Sequence, residues 1–382
     1  MNYLIHSSPV KKGLQIALSL LLGVALLGSN AAYASGLCVH PSGVGHCYTS
    51  IQAAVDAANE GDQIFIRPGK YVEQVTITGK SLTLVGRRGA VIEAPESMIP
   101  IEAAGWLTAR PMILVTEANV TIRNLTIDGL SSAEINPFLL GIMYMNADGT
   151  IQGNVVKNIG FEVPTLPVFD GQPYYMGEAI YVVNFGETPR TVTVTENYVY
   201  NYNAGGITVF AETLEGASMP ANLTAYLNNN MVVGQGPTDA IDQWGIFLGG
   251  YNGAEVYGTI KGNRVRDNIT VAPYPLPSIG IASVSTTSNV EIANNVIETA
   301  NIGLSISGNG TQALNNRFKK MDIGIMLVIN DAIYGSALST VLEDNRFESV
   351  PMDVMTGPGA MVEAAALSAV EPAQEQHKRL PR

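Results

Sequence analysis

The segment Thr238-Asp239-Ala240-Ile241-Asp242-Gln243-Trp244 sets two carboxylates three residues apart, with an indole two residues further on. Paired carboxylates can run general acid–base hydrolysis of a glycosidic bond. A flat aromatic ring beside them can stack on a sugar. Carboxylate oxygens of this kind also suit Ca²⁺. Asp239 and Asp242, joined by Asp170 or Glu178 from the preceding repeat, form the candidate catalytic group, and Trp244, Tyr174, Tyr175 and Tyr181 the candidate stacking surfaces. Asp128, Glu134, Asp267 and Tyr274 lie in comparable segments. The plainer alternative is a set of solvated loops whose rings pack over the protein body.

Other chemistries are narrower. The four histidines are His6, His40, His46 and His377, so imidazole cannot serve as the base anywhere in the body of the chain. The two cysteines, Cys38 and Cys47, lack the C-x-x-C spacing of a redox pair and are expected to form a disulfide, with a small metal site at His40 and His46 as the alternative. A basic series, Arg264, Arg317 and Arg346 with Arg266 and Lys319 two positions on, could line an anionic ligand and makes Arg264 and Arg266 candidate substrate contacts. Its second line reads Arg266, Glu298, Lys319, Glu348, and alternating signs on stacked strands pair with one another, so a structural ion-pair ladder is the competing reading.

Composition bounds the partners. Lys11 and Lys12 precede the apolar run from Leu14 to Leu27, and Ala32-Tyr33-Ala34 supplies a small-x-small cleavage site, the pattern of a signal peptide over residues 1–34. A retained anchor is the alternative, although the run is short for a span of about 20 residues. Residues 1–34 hold two of the 21 basic residues and none of the 33 acidic ones, so cleavage takes the net charge from −12 to −14. That charge argues against nucleic acid and, more weakly, against a polyanionic glycan.

The elements that must carry these residues repeat. Residues 49–60 read as one helix, with Ser50 as cap, Ile51, Ala54, Val55 and Ala58 on one face, and Gly61 as stop. Short strands follow at Ile64-Phe65-Ile66, Val75-Thr76-Ile77 and Leu82-Thr83-Leu84-Val85. Thereafter a degenerate unit recurs: an Asn (Asn124, Asn154, Asn197, Asn230, Asn263, Asn295, Asn316, Asn345), a β-rich stretch, a variable loop, and a Gly-apolar pair such as Gly141-Ile142, Gly245-Ile246 or Gly324-Ile325. One unit cannot bury its own inward side chains, so the units stack into an all-β solenoid of about nine or ten turns. The Asn column is expected to occupy left-handed turn positions and to bond amide to amide along the stack.

Insertions at 125–140, 155–178, 231–244 and 264–279 fall at the same point of the unit and should wall a cleft across the middle turns. Outward positions after the Gly-apolar pair, Met143, Tyr181, Thr208, Phe247, Ala282, Ser305 and Met326, are large or apolar often enough to need a cover. The long loops are the simplest cover, and a ligand or second subunit the alternative. After Gly357 the sequence suggests a frayed tail over residues 358–382, with a short helix near Met361–Leu367.

The stretch Tyr48-Thr49-Ser50-Ile51-Gln52-Ala53-Ala54-Val55, then Gly61-Asp62-Gln63-Ile64, Pro68-Gly69-Lys70-Tyr71-Val72-Glu73 and Leu82-Thr83-Leu84-Val85-Gly86, resembles the opening of the pectin-lyase-like superfamily, shared by pectin methylesterases and many secreted bacterial β-helix repeat proteins. With the repeats, the resemblance spans about residues 48–356. It implies a single right-handed parallel β-helix with an N-terminal capping helix. The enzymatic motifs of that superfamily do not carry over: the Gln-Asp-Thr-Leu and Asp-Phe-Ile-Phe-Gly segments of methylesterases, the Gly-His-Gly of polygalacturonases and the Asp-Pro-x-His of alginate epimerases are missing.

The expectation is a secreted or cell-surface monomer that binds, and in one version processes, a polysaccharide or surface glycan in a cleft of the middle turns. It includes no nucleic acid, no membrane after signal cleavage, and no cofactor beyond the Ca²⁺ option. The competing expectation is a structural or adhesive β-helix protein without catalysis.

Overall fold

A computed structural model describes residues 36–357, apart from 106, 134–135, 161–167, 170–171, 174–176, 240, 273–275, 329–336 and 338, together with 362–364. Glu134, Asp170, Tyr174, Tyr175 and Tyr274 therefore lie outside the described residues.

The helix is Ile51–Ala57. Ser50 Oγ accepts from Ala53 N at 3.1 Å, and Glu73 closes the same end by accepting from the Ile51 and Gln52 amides at 2.8 and 3.0 Å. Its end comes a turn earlier than the sequence suggests, because Ala58 is already extended (ψ 148°). Ile51, Ala54 and Val55 are buried and join the solenoid core, so the helix covers the first turn. Ahead of it, Cys38 and Cys47 form a disulfide that ties Gly36–Val39 to the capping loop.

Gly36–Val39 starts a parallel sheet of twelve strands that ends at Val362–Ala364. This sheet is the first face of the rod, and it extends the stack beyond the expected nine or ten turns. A nineteen-stranded sheet supplies two more faces. The long strands Val296–Ile306 and Arg317–Leu327 show how: the first half of each pairs along the second face and the second half along the third. Inward side chains from all three faces meet in one apolar core. Val362–Ala364 pairs in parallel with Thr340–Glu343, so the chain continues as strand where a short helix was expected.

Stacked amides connect the turns. Asn154, Asn197, Asn230, Asn263, Asn295, Asn316 and Asn345 are all buried, and each Nδ2 up to Asn316 donates to the next Oδ1 at 3.0–3.1 Å. The left-handed conformation belongs to the residue before each: Gly153, Glu196, Asn229, Gly262, Asn294, Asn315 and Asp344 have positive φ. Asn124 is therefore corrected. Its φ is 58°, it holds the turn, and Leu125 takes the ladder position, donating its amide to Asn154 Oδ1.

Two expected loops are partly strand. Met231–Thr238 and Arg264–Thr270 stay paired through Pro237↔Ile269 and Thr238↔Thr270, with a register shift between Val233 and Gly236. The first parts of the insertions at 231–244 and 264–279 thus run side by side as parallel strands.

Candidate functional site

The third face carries the site. Along it Ile142, Ile180, Ile207, Ile246, Ile281, Leu304 and Ile325 stack in register and point into the core. One residue later, the outward column reads Met143, Tyr181, Thr208, Phe247, Ala282, Ser305 and Met326. A second outward column reads Leu140, Glu178, Gly205, Trp244, Ile279, Ile302 and Ile323. Glycine lies between the two columns because the backbone turns against its neighbour there: a Cβ on Gly245 would stand 2.5 Å from Gly280 O.

The two halves of this face differ. At its N-terminal end, Ile101–Ala103 folds back as an antiparallel strand on Leu107–Thr116. With it, Leu107, Ala109, Leu114, Leu140, Met143, Tyr181, Val183 and Phe185 form a second buried apolar cluster, against which Phe138 and Leu214 pack. Tyr181, an expected stacking residue, is thus enclosed at 4% exposure. Beyond Thr208 this cluster gives way to a concavity, with Trp244, Phe247, Ile279 and Met326 partly exposed and Ala282, Val284, Ile302 and Ser305 recessed at its floor. Trp244, Phe247 and Tyr251, then Ile279, Ala282 and Val284, then Ile302 and Ser305, then Met326 and Val328, line an open groove of about 450 Å³. Asp242, Leu276 and Pro277 complete its described lining.

The aromatic end is ordered by contact. The Trp244 and Phe247 rings lie 5.3 Å apart with planes inclined by 37°, and Phe210 and Tyr251 lie 5.0 Å apart. Gln243 fixes the segment that presents Asp242 and Trp244. It is fully buried, its Nε2 donates to Tyr202 O at 3.0 Å, its Oε1 accepts from the Gln235 amide at 3.3 Å, and its backbone amide donates to Ser278 Oγ at 2.9 Å. Trp244 N then donates to Ala204 O at 2.7 Å, and Ile279 N to Gln243 O at 2.9 Å. A buried amide side chain bonded to two neighbouring strands leaves the flanking residues one backbone path.

Glu178 stands where the covered half meets the open one. It is fully buried, and neither carboxylate oxygen has a hydrogen bond of ordinary geometry; the Thr208 hydroxyl beside it is in the same position. Burial in this setting pushes its carboxyl up to about 7, and the nearby Thr208 hydroxyl opposes the shift. Space for it comes from Gly205 on the next turn, where a Cβ would meet Thr208 Oγ1 at 2.6 Å and Glu178 Oε2 at 3.0 Å. The turn of Gly205 separates Glu178 from Trp244, so Glu178 lies two turns before Trp244 and not one.

The remaining candidates disperse. Asp242 and Trp244 line the groove together, whereas Asp239 is exposed outside it. Arg264 and Arg266 are on the second face. Arg264 pairs with Glu298 at 2.9 Å, Arg266 with Asp267, Arg317 with Glu348 at 2.8 Å, and Lys319 reaches both glutamates at 3.8 and 3.4 Å. The ladder of alternating charge is therefore present. Burial would raise the Asp128 carboxyl, but bonds from Lys157, Asn158 and the Leu130 amide outweigh it and hold the group low. That carboxylate is structural. Gln243, Gly205 and the 101–109 hairpin carry no sequence signal of a site; their roles come from contacts between turns.

No family model matches the chain, and no curated protein matches it. Solved structures do. The pectate lyase Pel9A aligns over 86% of this chain and 79% of its own, at 13% identity and a TM-score of 0.51. A GH136 lacto-N-biosidase from Eubacterium ramulus aligns over 92% and 70%, at 10% identity and a TM-score of 0.49. A polygalacturonase from Erwinia carotovora aligns over 88% and 99%, at 9% identity and a TM-score of 0.47. At these identities the likeness is one of architecture: the chain is a right-handed parallel β-helix of the pectin-lyase-like fold.

Proposed function

We propose that this is an exported protein that binds a glycan chain in the groove of the third face. The observation that carries the reading is the coincidence of an open groove about 450 Å³ in volume with Trp244, Phe247 and Tyr251 at one end and Asp242 on its wall. Aromatic rings supply stacking surface, and a carboxylate accepts from sugar hydroxyls. The disulfide between Cys38 and Cys47 fits an oxidising compartment. If the bound chain is also cleaved, Asp242 is the carboxylate that can reach it, because Glu178 is enclosed.

Affinity electrophoresis of the mature chain against a polysaccharide panel, with a reducing-end assay in parallel, tests this. Retardation by at least one glycan is expected, and Trp244→Ala should weaken it at least tenfold, about 1.4 kcal/mol. Unretarded migration with every glycan would favour the structural, non-binding alternative.

A further inference from the structure

The chemistry of the same groove narrows its ligand, on the condition that the glycan reading holds. Among the described residues, its lining contains no Lys, Arg or His. The cations Arg264, Arg266, Arg317 and Lys319 belong to another face and are engaged by Glu298, Asp267 and Glu348. The chain as a whole has a net charge of −12, and Asp242 adds a carboxyl to the groove wall. A polyuronate would enter this field against repulsion, with nothing in the described lining to neutralise it.

Shape adds a second constraint. The groove crosses the turns of Trp244, Ile279, Ile302 and Ile323 in order, a run of roughly 14 Å at the strand spacing. Its aromatic residues sit at one end. Apart from Asp242 and Ser305, the rest of the described wall is aliphatic or thioether: Leu276, Pro277, Ile279, Ala282, Val284, Ile302, Met326 and Val328. An unsubstituted hexose chain laid there would strip water from more hydroxyls than Asp242 and Ser305 can partner. A chain bearing acetyl groups meets the wall differently. The methyl packs on the aliphatic side chains, while the carbonyl can accept from a donor such as the Ser305 hydroxyl on the same wall.

We infer that the groove selects an uncharged, acetyl-bearing glycan, with one ring stacked at Trp244 and Phe247 and acetyl substituents lying along the aliphatic wall toward Met326. The test compares O-acetylated glucomannan, the same polymer after saponification, and polygalacturonate by affinity electrophoresis at low salt, with a lauroyl probe for acyl-chain binding. The acetylated polymer should bind at least tenfold more tightly than its saponified form, and polygalacturonate should not retard the protein. Trp244→Ala should weaken the retardation at least tenfold. Met326→Gln, at a partly exposed position, should narrow the difference between the two glucomannans. Equal retardation by both, or retardation by polygalacturonate that Trp244→Ala removes, overturns the inference and leaves the glycan reading standing. Binding of the lauroyl probe with no glycan bound, or no binding at all, overturns both.

Discussion

Glu178 links a single residue to a measurable property of the fold. Its carboxyl is raised from the ordinary 4.5 to about 7 because burial disfavours the charged form. Below about pH 4.5 the group is protonated whether the chain is folded or not, and burial of the neutral acid is tolerated. Between pH 4.5 and 7 the unfolded chain ionises first, so the contribution of Glu178 to stability falls as pH rises; above 7 the loss is complete, at roughly 3 kcal/mol. Glu178→Gln should therefore melt together with the parent at pH 4 and well above it at pH 8, in paired calorimetric scans. Coincident melting at both values would show that Glu178 is ionised or solvated in the folded chain. Gln243 makes the opposite case. Gln243→Leu leaves the Tyr202 carbonyl and the Gln235 amide without their side-chain partner, and should cost about 2–3 kcal/mol while blunting the change in Trp244 fluorescence on glycan binding. A Leu variant that keeps both stability and fluorescence response would remove Gln243 from the positioning of Trp244. The Asp242–Trp244 pair was legible in the sequence because carboxylate and indole share one short segment. Gly205 and Gln243 were not, because what they do is set by which residue stands on the next turn.

The regularities of the elements were easier to read than their exact register. A recurring Asn with β-rich flanks announces stacked turns, and the ladder is there. The sequence alone placed Asn124 in that ladder, one position out, since Asn serves both the left-handed turn and the amide stack and nothing local distinguishes them. The strand at 231–238 read as loop because Gly234, Gly236 and Pro237 break strand patterning, yet its backbone still pairs with the neighbouring turn. The energetic difference between ladder and surface is testable. Asn263 donates to Leu227 O at 2.8 Å and Asn295 Oδ1 at 3.0 Å, and accepts from both the backbone and side-chain amides of Asn230. Asn263→Ala strands several of these groups in the interior and should cost about 3–5 kcal/mol in denaturant unfolding. Arg264→Ala, which breaks a pair that is 55% exposed on the arginine side, should cost less than about 1 kcal/mol. Similar costs for the two variants would contradict the account of the ladder as the stack's main polar tie.

At the scale of the whole molecule, a rod of stacked turns has few contacts between distant parts, so its stability is a chain of nearest-neighbour terms. The N-terminal end is closed by three devices: the Cys38–Cys47 disulfide, the Ile51–Ala57 helix, and Glu73 on the amides that begin that helix. The groove begins many turns away, at Trp244. Reduction of the disulfide releases a short closed loop worth about 2–3 kcal/mol in the chain-entropy model. In a globular domain with one shared core, that loss would lower the stability of every region together. Here it should be local. Hydrogen exchange under reducing conditions is expected to accelerate in Gly36–Val39 and its partner strand Gln63–Ile66, which are joined in register, while protection across Trp244–Tyr251 and glycan affinity stay unchanged. Accelerated exchange across Trp244–Tyr251 on reduction would mean that the turns unfold as one cooperative unit, and that the end caps guard the groove as well as the end they cover.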